Sequence, residues 1–424
     1  MRSEPRAGER LATSPALIRL EFSEILMARV SRIVLVGPVG DTVELGPVDS
    51  MGSHTIAARP AGSLTGGTYR VHWVAAGRDG HPERGSFSFT VAGSHPAAPG
   101  APAALAAPIG VSGDTAASDN PADAIAQGRS MTIARWLGFL ALFSVIGAVA
   151  FRFVVLGRLA RFIDVGDPFL HIASVGAATY GLFASVALVL TTVIKLYGES
   201  LAMRDIPLEA ILFATGWGWA WCAQLIACLI AIVAFAIAHR GTRNGWLMAA
   251  LAAVVLVVTP AATGHAIGSD QALLTVPLDV LHVLAGSTWL GTLAVILIVG
   301  IGSAAKTPGT VSLGARVAAM INAFSPMALV CGGTIVATGA FASLLHLEPL
   351  SSLWTSWYGR VLLVKLAFVV LLFVVGAWNW RRIKPSLGGD EGVTALRFSA
   401  KVEVSVAAMV LMVTAFLVAL PLPD

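Results

Sequence analysis

Eight apolar stretches follow Met131, at approximately 133–156, 172–194, 215–238, 245–266, 276–301, 317–345, 357–380 and 402–421. Each approaches or exceeds the length of about 20 residues that a helix needs to cross the hydrocarbon of a bilayer. That repetition excludes one soluble enzyme domain and predicts an all-α polytopic membrane domain of eight transmembrane helices over residues 131–424. Pro260 and Pro326 fall inside two of the stretches. Membrane helices tolerate such residues where neighbours re-satisfy the freed backbone. Only 12% of the chain is charged, and its 28 Lys and Arg barely exceed its 24 Asp and Glu. Cations this sparse argue against nucleic acid as a partner.

The loop cations set an orientation. Arg152, Arg158 and Arg161 lie at the first connection, Arg240 and Arg243 at the third, and Lys306 and Arg316 at the fifth. The seventh holds Arg381, Arg382, Lys384, Arg397 and Lys401, whereas the even-numbered connections offer only Lys195 and Arg204. By the positive-inside rule the odd-numbered connections are cytoplasmic and both termini face outward. The expected location is a bacterial inner membrane, with the lipid bilayer as solvent and residues 1–93 in the periplasm.

Residues 15–92 alternate with a period of two, as half-buried strands do. Tyr69, Val71 and Trp73 share one face, and Arg70 and His72 the other; Phe87, Phe89 and Val91 repeat the inward set. Leu17–Phe22 and Arg32–Val36 supply further strands between turn-forming Gly, Pro and Asp clusters. The expectation for residues 1–93 is an all-β sandwich. From 94 to 130 Ala, Pro, Gly, Ser and Asp dominate, a composition with too little large apolar surface to order itself, and a flexible linker is expected. No apolar leader precedes the sandwich, so the start of the natural chain is expected upstream of Met1. Cys222, Cys228 and Cys331 all lie in apolar runs without a CxxC pattern, which indicates neither a disulfide framework nor a zinc module.

Ionisable groups inside membrane spans are costly and are therefore candidates for function. Asp279 and His282 are three apart on the fifth span and share a helical face. His265 at the outer end of the fourth span and His346 at the outer end of the sixth lie at the same expected level. Imidazoles beside a carboxylate fit a transition-metal mouth, with Asp279 better suited to orienting an imidazole than to ligation. Each histidine also has an ordinary reading as a helix cap or an interhelical bond. Met320, Met327 and Cys331 fall within about 20° of one line on the sixth span. This soft-ligand stripe suits Cu(I) but equally suits plain packing. Lys365 is expected to pair with Asp279 roughly 12 Å into the seventh span, and Glu403 to be an exit or interfacial carboxylate. In the head, Asp79 and His81 are two apart and present one oxygen and one nitrogen to one side, a set that suits Cu(II). His54, His72 and His95 are further candidates, each also an ordinary surface histidine.

Gly67–Trp73, Asp79-Gly80-His81-Pro82 and Gly85–Phe89 resemble the C-terminal half of a CopC domain, and Ser3-Glu4-Pro5, Gly8 and Leu20–Glu24 resemble its beginning. The membrane body resembles CopD in Gly264-His265-Ala266, the Asp279/His282/Trp289/Gly291 pattern, Phe324-Ser325, Tyr358-Gly359-Arg360 with Lys365, Asn379, Glu403 and Pro421. Their order is that of CopC–CopD fusion proteins. The resemblance implies a cupredoxin-like, Ig-type sandwich that binds Cu(II) and an eight-helix protein associated with copper uptake, not an enzyme. It implies that Asp79 and His81 are Cu(II) ligands, completed in the family by an N-terminal histidine that would lie just before Met1. The Met-rich Cu(I) site of some CopC domains is absent, and Met27 and Met51 do not replace it. The expected reading is capture of Cu(II) outside and passage of copper, as Cu(I) or Cu(II), through His265 and His282, with a periplasmic copper chaperone as a candidate partner. The alternatives are an intramembrane haem- or copper-dependent redox protein, or a copper-binding protein without transport.

Overall fold

The computed structural model describes residues 1–22, 25–77, 82–92, 121–161, 168–202, 208–213, 215–264, 271–307, 311–346, 351–387 and 389–420. The head and the membrane body are described in turn.

The head is a two-sheet sandwich. One sheet has the order β1 (Arg2–Glu4), β3 (Ile18–Glu21), β7 (Thr55–Ala58), β6 (Asp49–Ser50). The other has the order β2 (Arg10–Leu11), β9 (Pro82–Val91), β8 (Gly67–Ala76), β4 (Arg32–Val36), β5 (Thr42–Val43). The long β8–β9 pair is antiparallel and sets Tyr69 opposite Phe89 and Val71 opposite Phe87. Those inward residues meet Ile18 and Leu20 of β3 and Ile56 of β7 in one buried core. Full burial of such a side chain contributes about 1.5–3 kcal/mol relative to exposure. Arg70 and His72 stay exposed, as the alternation predicts. Tyr69 stacks on Phe89 at 5.6 Å, and its hydroxyl donates to the Thr65 carbonyl at 2.9 Å, so the buried ring leaves no polar atom orphaned. Gly85 lies across from Trp73 because a Cβ there would come within 2.5 Å of the indole.

Among the described residues, eight helices of the body are long and apolar enough to cross a membrane: α1 (Gly128–Leu159), α2 (Pro168–Leu201), α3 (Gly216–His239), α4 (Arg243–Thr263), α5 (Ala272–Lys306), α6 (Leu313–Leu344), α7 (Trp357–Ser386) and α8 (Glu391–Leu417). The chain is already helical from Pro121, inside the stretch expected to be a flexible linker. Pro suits a first helical position and the Ala residues after it favour the helix. α8 begins 11 residues before its expected start, because Glu391, Arg397 and Lys401 form polar helical turns that continue the apolar segment.

Close backbone approach ties α1 to α5. A Cβ on Gly147 would overlap the Gly291 backbone, and one on Gly291 would overlap the Phe143 carbonyl. Small residues at such a crossing let membrane helices pack by van der Waals contact, where the hydrophobic effect gives no drive. Trp136 Nε1 donates to the Ala408 carbonyl of α8 at 2.9 Å, and Arg158 donates to the Ala323 carbonyl of α6 at 2.7 Å. Wider π-type turns interrupt α1 at Phe151–Leu156, α5 at Ser287–Gly291 and Ile296–Gly300, and α7 at Asn379–Ile383. Such turns recur at functional sites.

Candidate metal centre

His282 is the one member of the expected ligand set whose side chain the structure describes. Asp79, His81 and His265 lie outside the described residues, as does the side chain of His346, whose backbone ends the sixth helix. Among the described residues no three His, Cys, Asp or Glu side chains form a group able to hold a metal.

The half-buried His282 ring of α5 faces α6, where its Nδ1 lies 2.9 Å from Thr338 Oγ1. The Thr338 hydroxyl has one proton and donates it to the Thr334 carbonyl at 2.7 Å. With the hydroxyl proton on that carbonyl, Oγ1 is the acceptor for His282 and Nδ1 the donor, in the tautomer that carries its hydrogen on Nδ1. In a neutral imidazole the other nitrogen, Nε2, then presents its lone pair. This is the protonation state that a metal-binding histidine needs, with its second nitrogen fixed by an outer partner. Gly339 of α6 lies beside the ring, where a Cβ would stand 3.5 Å from Cε1 in ordinary contact.

Charge gathers around the same ring. Lys365 of α7 lies close enough to both Asp279 and His282 for their charges to interact, which brings three helices to one place. Asp279 is three residues from His282, and both are half-buried. An ammonium and a carboxylate in one membrane-embedded cluster offset each other's burial.

Further along the same helices the lining becomes apolar. Trp289 of α5 and Phe373 of α7 pack with ring centroids 5.4 Å apart, and Gly332 of α6 lies against both rings. Seven residues separate His282 from Trp289, six separate Thr338 from Gly332 and eight separate Lys365 from Phe373. At 1.5 Å per residue these are steps of roughly 9–12 Å, so the polar and aromatic residues form two successive layers.

The sulfur residues of α6 differ in burial. Met320 is fully buried with its sulfur against Gly300 of α5, Cys331 is buried and Met327 is half-buried. Glu403 of α8 is 5% exposed and accepts a hydrogen bond from Asn379 Nδ2 of α7 at 2.8 Å. Ser399 donates in turn to Asn379 Oδ1. Sequence reasoning missed Thr338 and Ser399, which read there as ordinary small polar residues. A hydroxyl one helix away is not paired with an imidazole by any spacing rule.

Three domain families match the chain. The CopC domain matches residues 1–92, the copper resistance protein D-like N-terminal domain residues 126–275, and copper resistance protein D residues 318–417. Copper transport protein CutJ of Bacillus subtilis (strain 168) is 24% identical over 433 residues, covering 100% of this chain and 74% of that protein. Copper resistance protein C of Pseudomonas syringae pv. tomato is 36% identical over 96 residues, 21% of this chain and 75% of that protein. Among solved structures, the copper resistance protein PcoC from Escherichia coli aligns at 32% identity over 21% of this chain and 95% of its own, with a TM-score of 0.20.

Proposed function

The chain belongs to the family of CopC–CopD fusion proteins of copper resistance and transport, and from that premise we propose that it captures Cu(II) outside the cell and passes copper into the membrane body. In this reading Asp79 and His81 of the head hold Cu(II). The linker at 94–130 keeps the head near the membrane and raises the effective concentration of copper there. His265 and His282 then receive the ion at the outer mouth of the body. The head spans residues 1–93 and lies in the periplasm, and the odd-numbered connections face the cytoplasm.

One observation carries the proposal: His282 sits inside a membrane-spanning helix with Nδ1 committed to Thr338 and Nε2 without a partner among the described residues. A histidine kept only for packing has no need of that arrangement. Asp279 and Lys365 make the site locally neutral before the ion arrives. The Trp289–Phe373 layer closes the apolar path below it, so onward passage requires those rings to move. The relatives carry the names of transport and resistance proteins, which agrees with cargo handling rather than catalysis.

Copper accumulation in cells producing equal amounts of wild type and a His265→Ala/His282→Ala double variant tests the reading. The variant is expected to lose the accumulation that wild type adds. Unchanged accumulation sinks the proposal.

A further inference from the structure

Glu403 is a carboxylate that the copper reading does not use. It lies toward the α7–α8 end of the body, since its partner Asn379 is 14 residues beyond Lys365 on α7, roughly 21 Å along the helix. The Trp289–Phe373 layer falls between the two positions in the order of residues along α7. With Glu403 ionised the Asn379 amide satisfies both neighbours as it stands, because Ser399 donates to its oxygen and its nitrogen donates to Glu403 Oε2. Glu403 is therefore held as an acceptor on one oxygen. The other, Oε1, has no donor among the described residues and lies beside Gly376, where a Cβ would stand 3.8 Å away in ordinary contact.

Among the described residues the surroundings supply no cation. On α7, Arg382 lies over Trp378 and Lys384 over Trp380, while Arg381 is exposed. On α8 itself Arg397 and Lys401 are exposed. α6 contributes only Arg316, whose guanidinium donates to the Thr307 carbonyl at 2.8 Å. The α5 segments that pack against α8, Thr292–Val295 and Ile296–Gly300, carry no charged residue, and the buried Thr292 hydroxyl there has no partner among the described residues. A buried ion without a counter-charge is strongly disfavoured. A single hard carboxylate with no sulfur or imidazole beside it also makes a poor copper site. The small cation that fits one free oxygen is the proton.

We propose that Glu403 is a proton-binding site of the membrane body, taking a proton from water on Oε1 and returning it there while Asn379 and Ser399 hold the carboxyl in place. The step forms and breaks one O–H bond and moves no electrons. It stands apart from the copper reading, since it is tested without metal.

The test is infrared difference spectroscopy of the full chain in lipid nanodiscs between acidic and alkaline buffer, without copper. Wild type is expected to show a protonated-carboxyl C=O band that disappears in alkaline buffer and is missing from Glu403→Gln, which keeps the acceptor for Asn379. If the Gln variant is not recovered folded, Glu403→Asp gives the same readout, with the band shifted in frequency. The proposal is overturned if the band is absent from wild type, persists in Glu403→Gln, or is unmoved in Glu403→Asp.

Discussion

Strand β8 of the head and helix α5 of the body each carry a histidine, and the two differ in what the position requires. On β8 the buried Tyr69, Val71 and Trp73 alternate with exposed Arg70 and His72, so His72 is where water solvates it. On α5 the neighbours of His282 along the helix are apolar apart from Asp279, and His282 finds a threonine on another helix. In water a polar side chain on the outer face is the default and carries little information. In a bilayer it must bring its own partner, and the partner reveals the purpose.

That contrast can be broken first at the packing of the body. Gly291→Leu places a side chain into the α1 backbone, where nothing flexible gives way. Loss of most monodisperse protein in detergent is expected, read by size-exclusion chromatography; normal yield would remove the α1–α5 crossing from the account. The head tests the other side. Phe89→Ala empties the centre of the sandwich and should destabilise it by about 3–5 kcal/mol, seen as lost hydrogen-exchange protection in β8 and β9 but not in the body.

A finer cut separates the two histidines. Thr338→Val keeps the shape of α6 and removes the acceptor at His282 Nδ1, so copper affinity of the body should fall about 10- to 100-fold, measured by competition with a chelator. His72→Ala on the head's exposed face is expected to leave that affinity unchanged. The smallest effect belongs to Thr68, whose hydroxyl meets Thr90 across exposed strands at 3.2 Å. Thr68→Ala should change head stability by less than about 0.5 kcal/mol, by the same exchange measurement.

Much of this fold is legible from residue patterns, because each solvent imposes a simple period. The inward set of β8 and β9 follows from alternation, and eight spans follow from length and apolarity. The extra turns of α8 are not legible that way, since Arg397 and Lys401 end an apolar window without ending a helix. The site is legible only in part. Asp279, His282, Lys365 and Glu403 stand out as charges or imidazoles in apolar runs, whereas Thr338 and Ser399 do not. The π-type turns of α5 and α7 leave no mark in composition, and they depend on packing between helices. Asn379 enters the sequence reading only through the resemblance to CopD, and its bond to Glu403 joins residues 24 apart on two helices.

Copper X-ray absorption of the purified chain, with Asp79 and His81 both replaced by Ala to remove the head's proposed Cu(II) ligands, tests the central claim most directly. The account predicts bound copper with imidazole scattering from the body, and a reduced imidazole contribution in a further His282→Ala variant. A spectrum that keeps its imidazole contribution unchanged after His282→Ala would contradict it.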